Sequence, residues 1–326
     1  MPRVAFIFRT DVHVSERNPS SWKGDYAAEI WSNLTQIGEL ARTHQVQAVL
    51  DGGDYFHIKA ASRNSHGLVE KTVRIHQEYP CPVYSVEGNH DLAYNNLDTI
   101  SRQPLGVLYA SGVFHQLREV VFEEGPLKVR VVGVPYSPFR TLTDLKALRK
   151  QPGDTHLVAV VHQLAGYEPP ADVEDFFGEP VFDYRALVFD QGPDIWMFGH
   201  WHKDQGAIEV EGRHFVNFGA VSRGALVKEN TERTPKVALV EIRPQGVSIR
   251  GLALQVADSK DVFDFDRKDR LDAESTDIAQ FVTHLQESLR LDPAANIEDS
   301  VQRLEFARDV RDLALHYLEL ARAEVG

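Results

Sequence analysis

Five short clusters in the sequence carry side chains able to hold metal ions: Asp11-Val12-His13, Gly53-Asp54, Gly88-Asn89-His90-Asp91, His162 and Gly199-His200-Trp201-His202. Asp11 and His13 lie two apart, as do His200 and His202, so on extended backbone each pair points one way. Imidazole, carboxylate and amide-oxygen ligands together suit borderline divalent ions such as Mn²⁺, Fe²⁺ or Zn²⁺. Asp54 has two oxygens and can bridge two ions, and two ions about 3.5–4 Å apart form the clamp used to hydrolyse phosphate esters. Gly52, Gly53, Gly88 and Gly199 beside these ligands permit tight turns. A lone Asp-x-His is weak evidence; five clusters in this order are strong evidence.

Other features read as ordinary. His44, His66, His76, His115, His156, His214, His284 and His316 are expected to be surface or internally satisfied polar residues. Gly219 to Gly224 has the wrong spacing for a nucleophile elbow. The chain has neither a P-loop nor an H-E-x-x-H helix. Its single cysteine, Cys81, excludes an internal disulfide and a Cys-rich zinc site.

The elements that must position the ligands are legible as short β-branched runs. Val4–Phe8, Val46–Leu50, Val83–Val86, Leu157–Val161 and Ile195–Phe198 predict strands. Each of the five ligand clusters follows one of them. Ile30, Leu34, Ile37 and Ala41 at helical spacing predict a helix over 25–44, and a weaker pattern covers 68–77. Strand–helix–strand order implies a parallel or mixed sheet covered on both faces, with loops at the strands' carboxyl ends converging on one crevice. Residues 120–134 and 208–249 read as hairpin-rich, so a mixed sheet is expected.

These five clusters resemble the motifs of the calcineurin-like metallophosphoesterases over roughly residues 3–245. The resemblance implies an α/β fold, a four-layered β-sandwich flanked by helices, here with a C-terminal helical segment. It implies two divalent ions, Mn²⁺ first, with Fe²⁺ or Zn²⁺ as alternatives. Asp11, His13, Asp54 and His202 would hold one ion, and Asp54, Asn89, His162 and His200 the other. His90 would stand beside the phosphate, oriented by Asp91. Within the superfamily, Asp54-Tyr55-Phe56-His57 resembles the SbcD-type nucleases of double-strand-break repair, including phage recombination nucleases, which often carry a histidine three residues after the bridging aspartate. His57 would help position or protonate near the phosphate. Ser222-Arg223 is similar to a Ser/Arg turn of that family and would make Arg223 a substrate-binding residue. Two features depart from the pattern: the Arg9-Thr10 approach to Asp11, and a Pro-, Asp- and Phe-rich segment over 168–194 that reads as an insertion.

The function so implied is an Mn²⁺-dependent DNA exo/endonuclease subunit, with His90 protonating the leaving oxygen. The alternatives are a phosphatase or cyclic-nucleotide phosphodiesterase acting on small substrates, and a recruitment subunit with a mainly structural metal site. Expected partners are DNA and an SbcC-like ABC-type coiled-coil ATPase on a separate chain, with a homodimer as an option and no membrane.

Composition is compatible with this. The 326 residues are 43% hydrophobic and 25% charged, room for about two domains of ~150 residues. No apolar run reaches the ~20 residues of a spanning helix, and Val4–Phe8 is too short for a signal peptide, so the chain reads as cytoplasmic. The net charge of −13 argues against a broad basic surface. Residues 256–326 carry 17 acids and 9 bases (−8), leaving 31 acids and 26 bases (−5) for residues 1–255, which two bound divalent ions would nearly neutralise. This shift divides a catalytic domain, 1–255, from an acidic linker and helical pair, 256–326. Ser275 and Asn296 are candidate caps for helices with stripes through Ile278–Leu289 and Phe306–Leu320. That pair packs either on the catalytic domain or on another protein.

Overall fold

The computed structural model describes residues 2–267 and 301. Strands and helices alternate at first: β1 (Val4–Arg9), α1 (Tyr26–Thr43), β2 (Ala48–Asp51), α2 (His66–Gln77), β3 (Val83–Ser85), α3 (Pro104–Ala110) and β4 (Phe114–Gln116). A hairpin of β5 (Glu119–Glu124) and β6 (Leu127–Val134) leads through α4 (Leu142–Lys146) to β7 (His156–His162). Next come β8 (Ala165–Gly166), α5 (Ala171–Phe177), β9 (Phe182–Asp183) and β10 (Ile195–Gly199). Two hairpins follow, β11 (Asp204–Val210) with β12 (Arg213–Phe218), and β13 (Lys236–Arg243) with β14 (Gly246–Ala253).

The five expected strands all form, and so do both helices. Asp25 caps α1 by accepting the Ala28 N–H, and Ser65 caps α2 by accepting that of Leu68, each satisfying a donor the helix start would leave open. The strands build two six-stranded mixed sheets, ordered β14-β13-β1-β2-β3-β4 and β11-β12-β10-β7-β6-β5. The β1–β4 strands are mutually parallel, as are β6, β7, β10 and β12.

Alternation along the strands sorts their apolar side chains into three layers of core. Ala5, Ile7 and Val49 meet Ile30, Leu34 and Ile37 of α1. The opposite faces, Val4, Phe6 and Leu50, meet Val129, Val158 and Met197 between the sheets. Ala159, Val161, Trp196 and Phe198 pack beneath Leu145 of α4 and Tyr184. Helices, sheet, sheet and helices therefore make four layers, as the family resemblance implied. Strands such as β7 are buried on both faces, which is why they read as unbroken apolar runs rather than alternating ones.

One compact unit runs Met1–Phe263, a little past the division read from charge. The extra residues belong to it because Phe263 bridges Trp22, and Arg223 binds the Ala257 carbonyl and Ser259. The second unit is Asp264–Gly326. The two expected tail helices lie outside the described residues. Among the described residues no helix is long and apolar enough to cross a membrane.

Candidate metal centre

The carboxyl ends of β1, β2, β3, β7 and β10 open toward one edge of the sandwich, and every expected ligand follows or ends one of them. Backbone bonds lock the loops together: Asp11 N–H donates to the Gly53 carbonyl and His13 N–H to that of Asp54. Asp11, His13, Asp54 and His200 all adopt positive φ, from 49° to 88°. Such conformations are costly for non-glycine residues and mark strained functional sites. Gly88 is required here, since a Cβ on it would collide with the Asp54 carboxylate.

Three groups could hold a metal. Asp11, His13, Asp54 and His202 each offer an atom within 4.8 Å of the others, so do Asp54, His162 and His200, and so do His13, His57 and His90, which bring no carboxylate. In the first set His13 Nε2 lies 3.0 Å from His202 Nε2 and 3.8 Å from Asp54 Oδ2, and His202 Nε2 lies 3.4 Å from Asp11 Oδ1. In the second, His162 Nε2 is 3.5 Å from Asp54 Oδ1 and 3.3 Å from Asn89 Oδ1. Asp54 belongs to both. The Nδ1–H of His162 donates to the Gly52 carbonyl at 2.6 Å, which leaves Nε2 to face the site.

Electrostatics follow from burial and crowding. Burial opposes ionisation of Asp11, but bonding and charge from His202 outweigh it and hold the carboxyl down to about 2. Asp54 is likewise held well below the carboxylate range, against burial, chiefly by His162. Burial would lower His162, yet the charge of Asp54 pushes it up to about 9. Burial and then His202 keep His13 well below its ordinary value, so it stays neutral with a lone pair to offer.

The arrangement fits cations. His13 Nδ1 is buried with no hydrogen-bond partner, while its Nε2 faces another imidazole nitrogen. One terminal atom of the Asn89 amide lies 3.1 Å from Asp54 Oδ2 and 3.1 Å from His200 Nδ1, both acceptors. With no ion, hydrogen bonding places the amide nitrogen there; a cation among these lone pairs calls for the oxygen. Asp11, His13, Asp54 and His202 would hold one ion, and Asp54, Asn89, His162 and His200 the second.

His57 and His90 stand beside the first set. Their rings stack at 5.5 Å, and the His90 ring centroid is 4.7 Å from that of His13. His90 is oriented differently from expectation: its Nδ1 bonds the His57 carbonyl at 2.6 Å, not Asp91. Asp91 is buried and instead accepts the backbone N–H groups of Tyr55, Phe56 and Gly88. Burial and then the charge of Asp54 raise its pKa well above the usual range. Asp91 thus braces the loops that carry Asp54 and Asn89. Arg223 is not brought to the cluster: its buried guanidinium pairs with Glu29 at 2.6 Å and binds the Ala257 carbonyl. Ser222 does reach the site backbone, donating to the Asp11 carbonyl.

Sequence reasoning missed Glu179 and Tyr136. The Tyr136 hydroxyl donates to Glu179 Oε1 at 2.5 Å, and Glu179 Oε2 lies 3.0 Å from His200 Nε2. Both residues sit outside any ligand motif. The only signal, for Glu179 alone, was the Pro-, Asp- and Phe-rich 168–194 segment, which also supplies Phe176 and Phe177 to one wall of an open cleft of about 610 Å³ over the ligands.

The calcineurin-like phosphoesterase family model matches residues 4–204, and the chain belongs to that family. Among solved structures, a dimetal phosphatase from Danio rerio is similar at 12% identity and a TM-score of 0.51, covering 78% of this chain and 98% of its own. The sulfate thiohydrolase SoxB of Thermus thermophilus is similar at 14% identity and 0.45, covering 86% of this chain. Purple acid phosphatase PPD1 from yellow lupin is similar at 13% and 0.46, covering 78%. This chain spans only 61% of SoxB and 53% of the lupin enzyme. No curated protein matches by sequence.

Proposed function

We propose that this chain is a divalent-metal-dependent phosphodiesterase acting on DNA, the catalytic subunit of an exo/endonuclease with Mn²⁺ as its preferred ion. The observation that carries the reading is the stacked His57–His90 pair beside the first ligand set, grouped with His13 alone and with neither Asp11 nor Asp54. When bound, the two ions supply Lewis-acid stabilisation of charge on the phosphoryl, attacking and leaving oxygens. The His57 carbonyl fixes His90 Nδ1 as the donor. Nε2 is then free to carry a proton to the leaving oxygen. Burial and then His90 lower the pKa of His57, which favours its neutral form. Phe176, Phe177, Trp201 and Lys203 line the cleft over the ligands, offering flat apolar surface and a cation to an extended polyanion with bases.

The test compares linear duplex DNA, a generic phosphodiester and a phosphomonoester under Mn²⁺. DNA and the diester should be hydrolysed well and the monoester poorly; a preference for the monoester would make the chain a phosphatase instead. His90→Ser should keep its metal content while losing about 10²–10⁴-fold in turnover. The SbcC-like ATPase partner, a separate chain, rests on the family resemblance alone. A chain ending after Phe263 should keep diester hydrolysis and lose association with such an ATPase.

A further inference from the structure

A segment outside every ligand motif meets the metal centre through Glu179. Its backbone is fixed at both ends of the turn that holds Glu179. Gly178 N–H closes α5 on the Glu174 carbonyl, and Phe182 N–H donates to the Leu164 carbonyl beside the β8–β9 pairing. Between them Glu179 lies at the edge of the site, its side chain 19% exposed. One carboxylate oxygen takes the buried Tyr136 hydroxyl, and the other faces His200 Nε2. Tyr136 is in turn fixed by its own N–H, which donates to the Glu87 carbonyl beyond β3.

His200 has two ring nitrogens, and only one can face an ion. Nδ1 is the one directed at the site, 3.1 Å from the Asn89 amide. For Nδ1 to offer a lone pair, the ring proton must reside on Nε2. An acceptor held opposite Nε2 enforces that choice and raises the ligand's basicity. We infer that Glu179 is a positioning residue of the metal centre: its carboxylate, held by Tyr136, accepts a hydrogen bond from His200 Nε2–H, keeps the ring proton there and reserves Nδ1 as the ligand atom. Glu179 is not itself a ligand, because it meets the edge of the imidazole opposite the one that faces Asp54 and Asn89. The inference concerns the metal centre and rests on no particular substrate.

The metal-free, full-length protein labelled with ¹⁵N gives the first readout. Long-range ¹H–¹⁵N correlation of the imidazoles should show His200 as a single Nε2–H tautomer, and as a mixture in Glu179→Ala. Mn²⁺ titration by calorimetry gives the second. Glu179→Ala should weaken one of the two binding events by about 10–100-fold and leave the other near its native affinity. Glu179→Gln, which can still offer an oxygen to Nε2–H, should restore the tautomer and part of the affinity, and Tyr136→Phe should lose less than Glu179→Ala. Native tautomer and native affinity for both ions in Glu179→Ala would overturn the inference. Should that variant fail to fold, Tyr136→Phe and Glu179→Gln carry the affinity readout, and native affinity for both ions in both variants would overturn it equally. A wild-type protein that binds two ions yet leaves DNA intact would remove the nuclease reading without touching this one.

Discussion

Two buried polar clusters lie within one turn of each other at the ends of β1 and β2, and they are built on opposite terms. Below, Arg9 donates to Asp51 at 2.7 Å, and Asp51 also accepts the Gly53 N–H and the Ser85 hydroxyl. The guanidinium lies among the rings of Tyr55, Tyr79 and Phe114. That cluster is one cation and one anion, matched. Above, Asp11, Asp54, His13, Asn89 and His200 turn acceptors and lone pairs toward common points. Arginine stays charged at any relevant pH, so the lower cluster carries its cation with it. The upper one would be completed by bound ions. Charge accounting thus separates a structural cluster from a functional one where burial alone does not.

The lower cluster should give the largest effect. Arg9→Met leaves the buried Asp51 carboxylate unpaired and should cost about 3–5 kcal/mol in urea unfolding, whereas Arg9→Met combined with Asp51→Leu should recover most of that loss. A double variant as unstable as the single one would show that the pair is not self-contained. The upper cluster should respond to metal instead. Mn²⁺ at a hundredfold excess over its Kd should stabilise the protein by about 2.7 kcal/mol per occupied site in thermal or urea unfolding, and Asp54→Asn should lose that gain. Chelation should abolish hydrolysis, with Mn²⁺ restoring it better than Mg²⁺, because Mg²⁺ prefers all-oxygen ligands.

A smaller effect comes from His76, which packs beside the lower cluster. Burial and then Arg9 keep its pKa well below 6.5 in the folded state. Above about pH 6.5 both folded and unfolded states hold it neutral, so it contributes no pH dependence there. Below that, the unfolded chain takes a proton that the folded one refuses, and stability falls by up to about 1.4 kcal/mol per pH unit. His76→Phe should flatten this slope between about pH 6.5 and 5 in denaturation curves. An unchanged slope would place the acid sensitivity elsewhere.

Much of the upper cluster was legible because its ligands follow apolar strand runs directly, so local sequence fixes both the strand and what its loop presents. Less could be read where tertiary geometry decides. Asp91 adjoins His90 in sequence, yet in the short 3₁₀ turn its carboxylate points to the Tyr55 and Phe56 amides, while the His57 carbonyl orients His90. Arg223 sits in a turn whose Ser222 does reach the Asp11 carbonyl, but its own side chain runs the other way, to Glu29. Glu179 reaches His200 from 21 residues away through a segment with no periodic pattern. Arg9, which read as a departure from the motif, is the cation of the lower pair.

The central claim is that Asp54 joins two ligand sets into one dinuclear site. Metal content per chain, measured after equilibration with Mn²⁺ and removal of excess, tests it directly in wild type, Asp54→Asn and His57→Asn. About two ions are expected in wild type, two in His57→Asn and fewer than one in Asp54→Asn, since losing the shared carboxylate weakens both sets. A single ion in wild type, or two retained by Asp54→Asn, would contradict it.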